Sequence, residues 1–204
     1  MRVPICSVCG KTAQFQCRNR SEFLCGEHAS IEVRTRSQRC RSDATIDAAA
    51  PPDYALIAAL ACHFWDETEV YCFGKTYDIT HLPAYVARAN TEIVGAISYE
   101  VELGRLVIVL LNVLPGFQGL GLGRGLIEAT VEEATRQGLY RVVVATSNDD
   151  LPALSLYQRS GFTIADIRPG EVLRHHGGEV VGFAGIPVRD EIRLERFINT
   201  EADN

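Results

Sequence analysis

The chain has 204 residues, 47% of them hydrophobic and 23% charged, with a formal net charge of −6. That apolar share excludes wholesale disorder, and the length suits one full domain with a small appendage. The longest apolar run, residues 106–111, falls far short of the roughly 18 residues that mark a membrane span, and residues 1–6 hold no apolar leader segment. We expect a soluble, cytoplasmic protein with no membrane partner.

Charge is unevenly spread. Residues 1–42 carry eight Lys or Arg and three acids, a net +5, against −11 for the remainder, so two units with different partners are expected. Five of the seven cysteines (Cys6, Cys9, Cys17, Cys25 and Cys40) also lie there. Cys6-Ser7-Val8-Cys9 and Cys25-Gly26-Glu27-His28 offer four soft or borderline donors at a spacing that suits tetrahedral zinc. With Phe15, Phe23 and Leu24 as its only large apolar anchors, a module of about 30 residues could scarcely fold without metal. One structural Zn2+ on Cys6, Cys9, Cys25 and His28 is therefore expected in a domain spanning 1–30. The set has no open position for catalysis. Cys17 is read as a packed thiol able to displace a ligand, and Cys40 is a further candidate. The spacing resembles B-box-like and related small zinc fingers. Arg34, Arg36, Arg39 and Arg41 follow, without an aromatic platform or recognition-helix pattern, so a protein-docking or domain-stabilising role is expected ahead of nucleic acid.

Residues 31–52, basic and then rich in small residues up to Pro51-Pro52, read as a linker. Tyr54, Ile57, Ala58, Ala61 and Phe64 share one helical face and predict a helix over 53–64. Residues 85–87 and 93–97 flank Asn90-Thr91 as a hairpin. Residues 106–111 read as a strand buried on both faces. A glycine-rich stretch over 116–125 leads into a helix with its stripe at Leu126, Ile127, Thr130, Val131 and Ala134, closed by Gly138. A buried strand over 142–145, a short helix near 150–160 and strands near 162–168 and 190–197 complete the series. Interleaved strands and helices predict an α/β or α+β fold with a mixed sheet. Cys62 and Cys72 read as ordinary buried thiols.

The chemistry concentrates in Val113-Leu114-Pro115-Gly116-Phe117-Gln118-Gly119-Leu120-Gly121-Leu122-Gly123-Arg124-Gly125, which leaves a strand and opens a helix. Glycines bring main-chain N–H groups close to a ligand, and the helix start adds orphan donors and partial positive charge suited to a diphosphate. A dinucleotide fingerprint needs an acid about 20 residues on, and the strand ending at Thr146 supplies none. A P-loop needs a lysine, and none follows Lys75.

Gln118-x-x-Gly121-x-Gly123 after Val113-x-Pro115 resembles the acetyl-coenzyme A loop of the GNAT superfamily of N-acetyltransferases. The run from Asn148 to Phe162, with Ala153, Leu156, Tyr157 and Gly161, resembles that family's second block. The resemblance spans about residues 53–198, leaving 199–204 as a tail. It implies a mixed, mostly antiparallel central sheet with flanking helices, acetyl-CoA as co-substrate, and direct attack by a primary amine of a small molecule or protein in a ternary complex. It implies that amides from Gln118 to Arg124, including Gly119, Gly121 and Gly123, cradle the diphosphate. Val113 and Leu114 would pair with the pantetheine arm, with an N–H near Leu114 meeting the oxyanion. Asn148 would contact the cofactor, or cap a helix, and Tyr157 would protonate the departing thiolate. Many relatives carry a carboxylate on the strand before the loop; here that strand offers Asn112. Glu100, ahead of Glu102, is the expected base, with His63, His81, His175 and His176 as other titratable groups. His175-His176-Gly177-Gly178 reads as a mobile loop tip able to line the acceptor site. The missing carboxylate also leaves open a non-enzymatic adaptor that senses coenzyme A.

Overall fold

The computed structural model describes residues 15–17, 22–24, 44–65 and 67–198. The first two segments, β1 (Phe15–Cys17) and β2 (Glu22–Leu24), form an antiparallel ladder with Phe15 opposite Leu24. The expected zinc ligands Cys6, Cys9, Cys25 and His28 lie outside the described residues, as do Arg34, Arg36, Arg39, Cys40, Arg41 and the tail.

From residue 44 onward the chain is organised by a seven-stranded sheet. In chain order come β3 (Ala44–Ala48), α1 (Tyr54–Trp65), β4 (Glu69–Cys72), β5 (Lys75–Asp78), β6 (Ala84–Ala89), β7 (Glu92–Glu102) and β8 (Arg105–Val113). Then follow α2 (Leu122–Arg136), β9 (Arg141–Ser147), α3 (Leu151–Arg159), β10 (Thr163–Arg168), α4 (Glu171–His176), β11 (Val180–Val181), β12 (Pro187–Val188) and β13 (Glu191–Phe197). The sheet order is β10-β13-β9-β8-β7-β6-β3, antiparallel throughout except for the parallel pair β8–β9. That is the mixed, mostly antiparallel architecture expected. No described helix is long and apolar enough to cross a membrane.

Each face of the sheet has its own core. Leu126, Ile127 and Val131 of α2, with Tyr157 and Phe162 at α3, pack on Ile97, Leu106, Ile108, Val142, Val144 and Leu194. Ile57 and Leu60 of α1, with Tyr77 and Ile79 of the β4–β5 hairpin, cover Val86, Val107, Val109 and Val143. The alternation of Leu106, Val107 and Ile108 between the two cores is why the strand reads as unbroken apolar sequence. Burying each such side chain contributes about 1.5–3 kcal/mol relative to exposure. The β6–β7 hairpin turns at Asn90, whose φ of 55° suits asparagine. Helix α2 stops where Gly138 takes φ 67°.

Two expectations need correction, and two segments add structure not expected. The linker does not run to residue 52: β3 is the edge strand, paired with β6 from Ala44–Ala89 to Ala48–Tyr85. Its one large apolar residue, Ile46, packs over Gly125 of α2, where the absent Cβ makes room. After β3, the Ala50 N–H and the Arg88 guanidinium both donate to Asp53, at 2.8 and 2.6 Å, pinning the start of α1. The β4–β5 hairpin and the 169–190 excursion carry structure the sequence pattern did not announce. Finally, Cys72 is buried but Cys62 is exposed.

Candidate active site

Strands β8 and β9 run together only from Arg105–Arg141 to Ile108–Val144 and then part. Beyond that point β8 stays with β7, ending with Val113 opposite Gly95, while β9 stays with β13 up to Ser147 opposite Glu191. The fork has a local cause. Tyr99 of β7 faces Ile108, yet Ser98 faces Leu110, so Val109 is an extra residue in β8. A bulge of this kind bends the strand that carries it, here at the position where its other neighbour is lost.

The main-chain directions at the fork correct one sequence expectation. The Leu114 N–H donates to Val94 O at 2.8 Å and is therefore committed to β7. Antiparallel pairing alternates along a strand, so the peptide groups of Leu111 and Val113 face the other way, into the fork. In keeping with this, the Val113 carbonyl accepts a hydrogen bond from Gln118 Nε2 at 2.9 Å rather than one from β7. Leu111 and Val113, not Leu114, offer donors to a ligand lying between the strands.

Past Val113 the chain makes a short 3-10 turn and enters α2 through Gly119 and Gly121, at φ 77° and 87°. Both lie in the left-handed region that glycine tolerates. Helix α2 has no side-chain cap at Gly121 and no acid in its first turn. Its first main-chain bond joins the Gly125 N–H to Gly121 O at 2.9 Å, and among the described residues the amides from Gly119 to Arg124 find no main-chain acceptor. Arg124, exposed in that first turn, sets a cation against the helix dipole and has no ion-pair partner among the described residues. Bare amides, dipole and guanidinium together suit a diphosphate.

The second sequence block divides its roles differently from expectation. Asn148 Oδ1 accepts the N–H groups of Arg189 and Asp190, both at 2.8 Å, and its Nδ2 donates to Pro187 O at 2.9 Å. It staples the end of β9 to residues 187–190. The cap of α3 is Asp150, whose carboxylate accepts the Ala153 N–H at 3.0 Å. Tyr157 is 6% exposed, and its hydroxyl takes no hydrogen-bond partner among the described residues. Burial pushes this phenol well above its ordinary range, with the nearby charges of Asp150 and Cys72 adding to the effect.

On the α1 face of the fork, Asn112 is 4% exposed. Its Oδ1 accepts the Trp65 indole N–H at 3.2 Å, while its buried Nδ2 has no partner among the described residues. Because Ile192 and Leu194 point to the α2 core, Glu191 and Arg193 point to this face. Glu191 is buried and bonded to Arg193 Nε. Cys72 lies nearby, its thiol pushed up to about 12 chiefly by burial, with Glu191 and Glu102 adding. Tyr71 donates to Glu171 Oε1 at 2.7 Å, and its ring stacks on His175 at 4.1 Å between centroids.

The expected base Glu100 is not brought to this place. It faces Val107, on the paired half of β8, about 20 Å from Val113 by strand rise. His63 and His81 are exposed, the latter beside Asp78. His175 and His176 form the last turn of α4, closed by Gly177, rather than a loop tip. Glu191 lay inside a predicted strand, where Glu191, Arg193 and Glu195 gave only a charged alternation. No group of three metal-binding side chains occurs among the described residues.

Residues 47–162 match the Acetyltransferase (GNAT) family. The chain is similar to YvbK of Bacillus subtilis, described as an uncharacterised N-acetyltransferase: 32% identity over 111 residues, 54% of this chain and 71% of that one. It is 43% identical over 56 residues to a mycothiol acetyltransferase of Arthrobacter, covering 28% of this chain and 17% of that protein. A GNAT family acetyltransferase from Elizabethkingia anophelis, solved with acetyl-CoA bound, matches with TM-score 0.60 at 25% identity, covering 76% of this chain and 99% of that one. The match takes in the fork, the glycine turn and α3 up to Phe162, and the chain belongs to the GNAT acetyltransferase family.

Proposed function

We propose that the chain transfers the acetyl group of acetyl-CoA to a primary amine by direct attack in a ternary complex. The observation that carries this reading is the fork between β8 and β9, opening beside a helix start whose amides are unspent. The amides of Gly119 to Arg124, with the Arg124 side chain, bind the diphosphate. The pantetheine arm lies along the β8 edge, against the Leu111 and Val113 peptide groups. One of those N–H groups meets the oxyanion, a preorganised donor that costs no rearrangement during reaction. Asn148 then acts by holding the β9 end rather than by touching the cofactor.

The amine nitrogen forms a bond to the carbonyl carbon, the carbon–sulfur bond breaks, and the electron pair leaves on sulfur. After attack the nitrogen sheds a second proton, which passes through water to the sulfur, so the products are the N-acetyl amide and the free thiol. Tyr157 donates a hydrogen bond to the departing sulfur. Its raised pKa lies above the ordinary thiol value of about 8.5, so the proton stays nearer the phenol while the bond steadies the charge. A primary amine is mostly protonated near neutral pH and must lose a proton before attack. Glu191, buried on the face away from α2, replaces Glu100 as the carboxylate proposed to receive it, directly or through water.

For the N-terminal segment we retain one structural zinc on Cys6, Cys9, Cys25 and His28. Three thiolates and an imidazole suit the ion, and the β1–β2 ladder turns the chain back so that Cys25 follows β2 directly. The module would dock a protein partner. Every residue given a catalytic role lies beyond residue 100, so chelation should release zinc and leave acetyl transfer intact, as read by metal analysis and thiol assay on the same sample.

An amine-library screen for free thiol release from acetyl-CoA tests the function, with mycothiol precursors and streptothricin included because relatives bear those names. Turnover with some amine is expected. Calorimetric binding of acetyl-CoA without turnover on any amine would instead favour the adaptor.

A further inference from the structure

At the opposite end of β8 and β9 from the fork, the face away from α2 holds a cavity of about 310 Å³, near the lower size limit of small-ligand sites. The sheet brings its lining together: Arg105 faces Arg141 across β8–β9, Glu195 faces Val143, and Asp166 faces Arg193. Three guanidinium groups thus meet two carboxylates in the wall.

The guanidinium groups are far from spent. Each carries five N–H donors. Arg105 gives one hydrogen bond to Glu102 at 3.0 Å, Arg141 one to Glu195 at 2.6 Å, and Arg193 one to Glu191, with Asp166 at ion-pair distance, 3.7 Å. The Nε groups of Arg105 and Arg141 are buried and have no partner among the described residues. Buried donors of this kind are seldom left unmatched, and what the cluster lacks is an acceptor.

The roof is unusual as well. Phe73 takes φ 54° at the β4–β5 turn, a left-handed conformation that asparagine or glycine would adopt without strain. The guanidinium carbons of Arg105 and Arg193 both lie over its ring, 5.1 and 5.0 Å from the centroid. The two-residue β4–β5 turn imposes this conformation, as the Leu103-Gly104 turn does on Leu103, and it sets the Phe73 ring against the cavity.

We propose that this cavity is a second binding site, adjoining the acetyl-transfer centre through the Arg193–Glu191 hydrogen bond, for the compact oxyanion of a small molecule, a carboxylate or a phosphate. Planar guanidinium forks match both groups and hold them by paired hydrogen bonds. Asp166 and Glu195 limit the site to small anions by repelling larger ones.

The test is nuclear magnetic resonance of the arginine Nε–H signals in the full-length protein, titrated separately with inorganic phosphate and with succinate. Signals of Arg105 and Arg141 are assigned by their loss in Arg105→Gln and Arg141→Gln. A saturable shift of either signal with one anion supports the site and names the source, and the shift should weaken at least tenfold in Arg193→Gln. Because the readout is local, anion binding at the α2 amides leaves it untouched, and failure here leaves the acetyltransferase reading standing. Shifts no larger than those from sodium chloride at equal ionic strength, in wild-type protein, would overturn the proposal.

Discussion

The two halves of the β8–β9 pair are made of the same kind of sequence and do opposite things. From Arg105–Arg141 to Ile108–Val144 the strands share hydrogen bonds and lie between two cores. From Val109 onward β8 carries one extra residue, the β9 partner is gone, and Leu111 and Val113 turn peptide groups away from β7, the Val113 carbonyl meeting Gln118 Nε2. Apolar side chains decide how firmly the strand is held; a single bulge decides where it becomes a site. Stability and chemistry can therefore be perturbed separately along one strand.

The largest expected effect is on the paired half. Ile108→Ala, at a fully buried position, should cost about 2–5 kcal/mol in urea unfolding, while the folded protein still binds acetyl-CoA with unchanged affinity. Tyr157→Phe should do the reverse, lowering kcat about ten- to a hundred-fold, the worth of one hydrogen bond to a developing charge, with KM and thermal stability little changed. Unchanged turnover would remove Tyr157 from the reaction. Gly121→Ala forces a side chain into φ 87° and should cost about 1–2 kcal/mol, seen both as a lower melting temperature and as weaker acetyl-CoA binding.

The smallest effect lies farthest from the fork. The hydrogen bond from Arg88, and then the Ala50 N–H, holds the Asp53 carboxyl below the usual carboxylate range. A depressed folded-state pKa stabilises above the unfolded value, near 3.9, and that contribution fades as pH falls through the folded value. Arg88→Gln should therefore destabilise more at pH 7 than at pH 3 in parallel unfolding curves. Equal losses at both would mean the pair contributes packing alone.

Much of the catalytic domain was legible in the sequence because its elements obey clean periodicities. The stripe of α2, the unbroken run of β8 and the Asn90 turn each state their structure locally. Strand β3 does not, since Ala44-Thr45-Ile46-Asp47-Ala48 holds one large apolar residue and becomes a strand only by pairing with β6. The direction of the Leu111, Val113 and Leu114 amides was equally hidden. One inserted residue exchanges inward and outward peptide groups, and nothing in Val107-Ile108-Val109-Leu110-Leu111 marks Val109 as the insertion. Glu191 was missed for the converse reason: its neighbour in the site comes from a strand more than forty residues away in sequence, at Ser147.

Amide hydrogen exchange measured with and without acetyl-CoA bears most directly on the fork. Bound cofactor should slow exchange at Leu111, at Val113 and from Gly119 to Arg124, and leave Leu114 unchanged because Val94 already holds it. Protection confined to other segments, with those amides exchanging as before, would contradict the account.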